Sequence, residues 1–151
     1  MQTILSRYNP WWEGSYMPDL IRREKVLSIL LSQMNNNQII FITGLRRVGK
    51  TALMKILISE LLIKKKVASR NILYISLDDY LLAKNNIIEI VEAFRSVNKL
   101  KFSEKLFLFL DEITHKNDFE LQLKNLCDNH NVKIFATSSS ASLLKNKKHY
   151  I

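Results

Sequence analysis

The chain has 151 residues, a net charge of +9, 47% hydrophobic and 25% charged residues, and one cysteine, Cys127. This composition is typical of a single globular domain with a hydrophobic core, and one cysteine excludes an internal disulfide. Neither a membrane-spanning run nor a secretory signal is visible, so we expect a cytoplasmic protein with no membrane partner.

After an irregular arm over residues 1–18, the predicted elements alternate between helices and strands. The hydrophobic patterns predict, in chain order, a helix capped by Asp19 and ending near Met34, a strand over 39–43, a helix over 52–66, a strand over 71–77, a helix over 85–100, a strand over 106–110, a helix over 117–129 and a strand over 132–137. Such alternation predicts a mostly parallel sheet with helices on both faces. Ligands of such sheets bind at the carboxyl ends of the strands.

A glycine-containing string follows the first predicted strand and opens the next helix. Residues 44–51 match the phosphate-binding pattern G-x-x-x-x-G-K-[ST]. In this pattern backbone N–H groups surround phosphate oxygens, the lysine binds the β- and γ-phosphates, and the final hydroxyl is a ligand of Mg²⁺. With the alternating elements, the string predicts a P-loop NTPase fold, a three-layer α/β sandwich that binds ATP. The predicted nucleotide-binding residues are Gly44, Leu45, Arg46, Arg47, Val48, Gly49, Lys50, Thr51 and Ala52, of which Lys50 also serves catalysis.

Two acids, Asp111 and Glu112, follow the most apolar predicted strand. We expect Asp111 and Thr51 to hold Mg²⁺, and Glu112 to polarise the water that attacks the γ-phosphate. A pair of carboxylates that only caps the next loop is the structural alternative. The chain lacks the Asp-x-x-Gly and Asn-Lys-x-Asp motifs of Ras-type GTPases, which favours ATP as the nucleotide.

These motifs resemble those of bacterial and archaeal AAA-domain ATPases whose loop reads R-[RQ]-V-G-K-T. The likeness rests on residues 46–51, 77–79, 110–113 and 136–140, and it covers about residues 19–145. It implies that Thr137 or Ser138 senses the γ-phosphate or the attacking water, although Ser138 replaces the glycine usual in the family. It also implies a homo-oligomer in which a neighbouring subunit supplies an arginine finger.

Proteins of this kind continue beyond the fourth strand into a fifth strand, a helical lid and often a DNA-binding or nuclease-like domain. We therefore expect an ATPase core over residues 19–151, truncated after the fourth strand, with weak hydrolysis. A nucleotide-binding switch or interaction module with little or no hydrolysis is the alternative function.

Basic and aromatic residues outside the motifs leave further alternatives open. Basic clusters at residues 22–23, 64–66 and 145–148 favour a polyanion such as DNA, or are solvated helix ends. Trp11, Trp12 and Tyr16 either stack on adenine or pack in the core.

Overall fold

The centre of the computed structural model, which describes residues 1–20, 22–44 and 49–139, is a parallel sheet. Its four strands are β1 (Ile40–Thr43), β2 (Ile72–Ser76), β3 (Leu106–Asp111) and β4 (Val132–Ser138), in the spatial order β1-β4-β3-β2. The register pairs Thr43 with Ser138 and Ser76 with Asp111, so all four carboxyl ends meet at one edge. The predicted parallel sheet is confirmed.

In the described residues, five α-helices cover the two faces of this sheet. They are α1 (Gln2–Tyr8), α2 (Glu24–Ser32), α3 (Lys50–Ile63), α4 (Ile87–Val97) and α5 (Phe119–Asn129). Buried residues of α2 and α3 pack on one face, and those of α1, α4 and α5 pack on the other. This arrangement confirms the three-layer α/β sandwich. None of the helices in the described ranges has both the length and the hydropathy needed to cross a bilayer.

The two cores are built by alternation along the strands, because successive side chains of a strand point to opposite faces. Leu108 and Leu110 belong to the core under α4 and α5, whereas Phe109 belongs to the core under α3. Phe109 stacks on Phe135 of β4 with ring centroids 5.0 Å apart. Every residue of β3 is buried, and Asp111 lies at its carboxyl end, directly after five apolar residues.

The N-terminal arm differs from the prediction of an irregular segment. Residues 2–8 form α1 and residues 10–12 form a 3₁₀ turn, and Trp11 is buried. Seven residues are too few for a clear helical period, and such a short helix depends on tertiary packing, here of Leu5. The indole N–H groups of Trp11 and Trp12 both donate to the carbonyl of Ile72, which favours packing over adenine stacking for this pair.

The second helix also differs from the sequence prediction at its start. Asp19 does not cap it, because α2 begins at Glu24 and Arg23 occupies the N-cap position. Helix α4, by contrast, has a side-chain cap, because Asn86 and Glu89 form a reciprocal capping box at its start. The basic cluster at residues 145–148 lies outside the described residues.

Candidate functional site

Two glycines flank the predicted phosphate loop. Gly44 follows β1, and Gly49 occupies the N-cap position of α3 with φ +87°, a conformation that favours glycine. The Lys50 ammonium group is buried and donates to the Gly44 carbonyl at 2.9 Å, which joins the two ends of the loop. The guanidinium Nη1 of Arg23 lies 3.3 Å from the place where a Cβ on Gly49 would sit. Leu45, Arg46, Arg47 and Val48 lie outside the described residues, so their roles stay predictions.

The Asp111 carboxylate is the centre of a hydroxyl network at the end of β3. Its Oδ2 accepts hydrogen bonds from Thr51 Oγ1 at 2.7 Å and from the Tyr74 phenol at 2.6 Å. Its Oδ1 accepts one from the Thr137 hydroxyl. Asp111 is only 2% exposed, and a buried carboxylate requires such donors. The network joins the start of α3 to strands β2, β3 and β4.

Tyr74 was not among the residues selected from the sequence. It lies in the middle of β2, where an apolar run indicates only core packing. Burial, and then the negative charge of Asp111, raise the pKa of the Tyr74 phenol, so the group remains a proton donor at neutral pH. The signal that could have found it is general, since a buried tyrosine hydroxyl usually has a hydrogen-bond partner.

Glu112 leaves the strand in a left-handed conformation with φ +56°. For a residue other than glycine this costs about 1–3 kcal/mol, and it persists only where the surroundings impose it. Here the Glu112 N–H donates to Thr137 Oγ1 at 3.0 Å, and Oε1 accepts from Ser139 Oγ at 2.8 Å. The conformation directs Glu112 to a different place from Asp111, although the two acids are adjacent in the chain.

A cavity of about 420 Å³ opens beside this network. Its volume lies within the range of about 300–1,000 Å³ typical of ligand sites. Among the described residues that line it, Lys50 and Lys55 are cationic and Glu112 is acidic, which suits an anionic ligand. The lining residues within the described part of the chain are Leu20, Gly49, Lys50, Thr51, Ala52, Lys55 and Glu112.

Among the described residues, the structure brings Thr51, Asp111, Glu112 and Thr137 together, and it adds Ser139 to them. Thr137 is buried between Asp111 and the N–H of Glu112, so it contacts both acids. Ser138 is also buried, with its Oγ 3.5 Å from Thr114 Oγ1. Ser139, which was not selected from the sequence, is the serine that contacts Glu112.

The oxygen ligands fit Mg²⁺ in combination with a phosphate. Within the described ranges, no group of three or more His, Cys, Asp or Glu side chains could hold a metal ion. Magnesium at a nucleotide needs fewer protein ligands, because waters and phosphates complete its octahedron. The Thr51 hydroxyl gives its proton to Asp111, so its lone pairs remain available for a cation.

A comparison with known proteins identifies the family. A family model described as AAA domain matches residues 36–150. The chain belongs to the AAA-domain family. This membership places it among the nucleotide-binding ATPases. An uncharacterized protein of Methanocaldococcus jannaschii is 33% identical over 143 residues, which are 94% of this chain and 29% of that protein. The chain thus spans less than a third of that relative.

Solved structures share the fold of this AAA domain at low sequence identity. PCH-2 of Caenorhabditis elegans has a TM-score of 0.58 at 19% identity, over 95% of this chain and 45% of that chain. A Walker-type ATPase of Pyrococcus abyssi has a TM-score of 0.55 at 19% identity, over 85% and 48%. An Hsp104–ADP complex of Saccharomyces cerevisiae has a TM-score of 0.59 at 19% identity, over 93% and 23%. The predicted P-loop NTPase fold is confirmed, whereas the expectation of a DNA partner finds no support.

Proposed function

We propose that this AAA domain binds ATP together with Mg²⁺ and hydrolyses it to ADP and phosphate. The observation that carries the proposal is the hydrogen bond of 2.7 Å between Thr51 and Asp111. These residues are 60 positions apart in the chain, and they meet beside a cavity lined by Lys50 and Glu112. The site therefore combines the Lys50 ammonium group, which suits phosphate, with the oxygens of Thr51 and Asp111, which suit a metal ion. The Glu112 carboxylate, which suits a water molecule, belongs to the same site.

Lys50 and the start of α3 would bind the phosphates. The ammonium group of Lys50 donates to the Gly44 carbonyl, and we expect it to exchange this carbonyl for oxygens of the β- and γ-phosphates. Helix α3 has 14 residues and begins at Lys50, so its positive end faces the same anion. Gly49, at the N-cap position, has no side chain, so the backbone can approach the phosphate closely there.

Thr51 and Asp111 would hold Mg²⁺ against the phosphates. Three hydroxyl donors fix the Asp111 carboxylate, so it needs little reorganisation to receive a cation or its bound water. When bound, Mg²⁺ neutralises charge on the phosphate oxygens as the γ-phosphoryl group leaves.

Glu112 would act as the general base that takes a proton from the attacking water onto a carboxylate oxygen. Glu112 is among the residues that line the cavity, and Ser139 donates to one of its carboxylate oxygens at 2.8 Å. Thr137 binds Asp111 and the N–H of Glu112, so it would set the position of the base relative to the metal. The sensor role of Thr137 and Ser138, and the homo-oligomer, stay predictions from the resemblance.

The binding half of the proposal is tested with Lys50→Ala against Lys65→Ala. Lys65 has the same charge, but it is exposed and follows the far end of α3. Loss of hydrogen bonds to a charged group costs about 1.5–3 kcal/mol, so Lys50→Ala should weaken ATP binding by roughly 10- to 150-fold in calorimetry. Lys65→Ala should bind like the wild type. Equal affinity of a folded Lys50→Ala variant would refute the site.

The catalytic half is tested with Glu112→Gln against the exposed Glu13→Gln. Removal of a positioned base costs about 10²–10⁴ in rate, so phosphate release by Glu112→Gln should fall by that factor while ATP affinity stays within about threefold. Wild-type turnover in this variant would assign the base elsewhere. Tight ATP binding without phosphate release by the wild type would favour the nucleotide-binding switch.

A further inference from the structure

Tyr74 lies outside every sequence motif of the site, yet its phenol reaches the Asp111 carboxylate. It belongs to β2, which pairs with β3 in parallel, and the register sets Tyr74 opposite Phe109, two residues before Asp111. The ring belongs to the core under α3 and is 3% exposed. A phenylalanine would fill nearly the same space, so packing alone does not require the hydroxyl that lies 2.6 Å from Asp111 Oδ2.

The acceptor capacity of the carboxylate explains what the hydroxyl does. A carboxylate has about four acceptor positions. Thr51, Tyr74 and Thr137 use three of them, and Oδ2 receives two of these bonds. A carboxylate held from three directions cannot rotate freely, which leaves about one acceptor position in a defined direction for a metal or its bound water. Without the phenol, Oδ2 would keep only the Thr51 hydroxyl as a donor, and the carboxylate would be held from two directions instead of three.

Tyr74 is itself held at both its backbone and its ring. The buried side chain of Asn9 accepts from the Tyr74 N–H at 2.6 Å and donates to its carbonyl at 2.9 Å. The Lys55 ammonium group of α3 lies 5.4 Å from the ring centroid, within the range of a cation–π contact. The hydroxyl is therefore presented by a rigid side chain, a condition for a group that orients another.

We propose that Tyr74 is a positioning residue of the metal site, whose phenol orients Asp111 for Mg²⁺–nucleotide binding. This inference rests on the proposed function. The proposed role concerns the metal and not the phosphates, because the phenol contacts Asp111, the predicted metal ligand. Loss of the hydroxyl should change the response to Mg²⁺ and leave the contacts of Lys50 with phosphate intact.

The test compares Tyr74→Phe with Tyr8→Phe as a matched control. Tyr8 also donates a phenol hydrogen bond to a carboxylate, at 2.5 Å to Asp79, and its ring lies 6.0 Å from that of Tyr74. ATP affinity is measured across a Mg²⁺ titration and again in chelator without metal. Groups that orient metal ligands typically contribute 10- to 100-fold to metal affinity, so Tyr74→Phe should raise the half-saturating Mg²⁺ concentration by about that factor. Metal-free affinity should stay within about twofold, and Tyr8→Phe should match the wild type in both.

Two results would overturn the inference while leaving the proposed function in place. One is a wild-type Mg²⁺ response in Tyr74→Phe, and the other is an equal shift in Tyr8→Phe, which would indicate general loosening. Failure of the wild type to bind ATP in a Mg²⁺-dependent manner would instead refute the proposed function itself.

A second background keeps the test decisive if Tyr74→Phe does not fold. In Asp111→Asn, a neutral amide replaces the carboxylate and depends less on hydroxyl donors. If Tyr74 acts through Asp111, adding Tyr74→Phe to this background should cause no further shift in the Mg²⁺ response. A further tenfold shift would show that Tyr74 acts by another route.

Discussion

Asn9 provides the sharpest test of how the N-terminal arm stabilises the domain. Its side chain is fully buried, with Nδ2 donating to the carbonyls of Leu5 at 2.7 Å and Tyr74 at 2.9 Å, and Oδ1 accepting from Tyr74 N–H. Strand β2 lies at one end of the strand order, so this amide stands where another strand would pair. The contact thus satisfies backbone groups that would otherwise be buried without partners.

The expected cost of Asn9→Ala follows from these three bonds. A hydrogen bond contributes about 0.5–1.5 kcal/mol net, and a buried polar group without a partner costs about 1–3 kcal/mol. We therefore expect the free energy of unfolding to fall by about 2–4 kcal/mol. With a urea m-value of about 2 kcal/mol/M, the midpoint should fall by about 1–2 M.

Urea unfolding followed by two probes measures this change. Trp11 and Trp12 both lie beside Asn9 and bond to Ile72, so their fluorescence reports the arm, while far-UV circular dichroism reports the helices. The control is Asn129→Ala, an exposed asparagine with one bond of 3.0 Å to the Asn125 carbonyl, which should change stability by less than about 0.5 kcal/mol. A similarly small effect of Asn9→Ala would refute the reasoning.

Two further predictions concern the loop and a buried lysine. Gly49→Ala should weaken ATP binding about tenfold and lower the free energy of unfolding by about 1–2 kcal/mol, because φ is +87° at this position. Gly14→Ala is the control and should change neither quantity, because no atom lies within 4 Å of the added Cβ. Equal effects of the two substitutions would contradict this prediction. Burial lowers the pKa of Lys133 to about 8, so between pH 8 and 10 the unfolded chain binds a proton that the folded chain has lost. Stability should therefore rise with pH in that window in urea titrations, and more steeply than in Lys133→Met; parallel curves would refute the assignment.

The periodicity and the spacing of motifs were sufficient to predict the framework. Alternating apolar runs determine which segments become strands, and their β–α order determines a parallel sheet with helices on both faces. A parallel sheet gathers its carboxyl ends at one edge, so Thr51 and Asp111 were predictable partners despite 60 intervening residues. These inferences succeed because each depends on a local pattern and one general rule of topology.

The details of the site depend on packing between distant segments. Tyr74 meets Asp111 because β2 and β3 pair in one register, and a shift of one residue would turn the phenol to the other face. Glu112 leaves β3 in a left-handed conformation and its carboxylate accepts from Ser139, and neither feature is visible in the local sequence. Helix α1 forms because its residues pack against the sheet, which a seven-residue pattern cannot reveal. Local sequence therefore determined the elements and the ligand class, whereas register, backbone strain and burial of the arm decided which side chains complete the site.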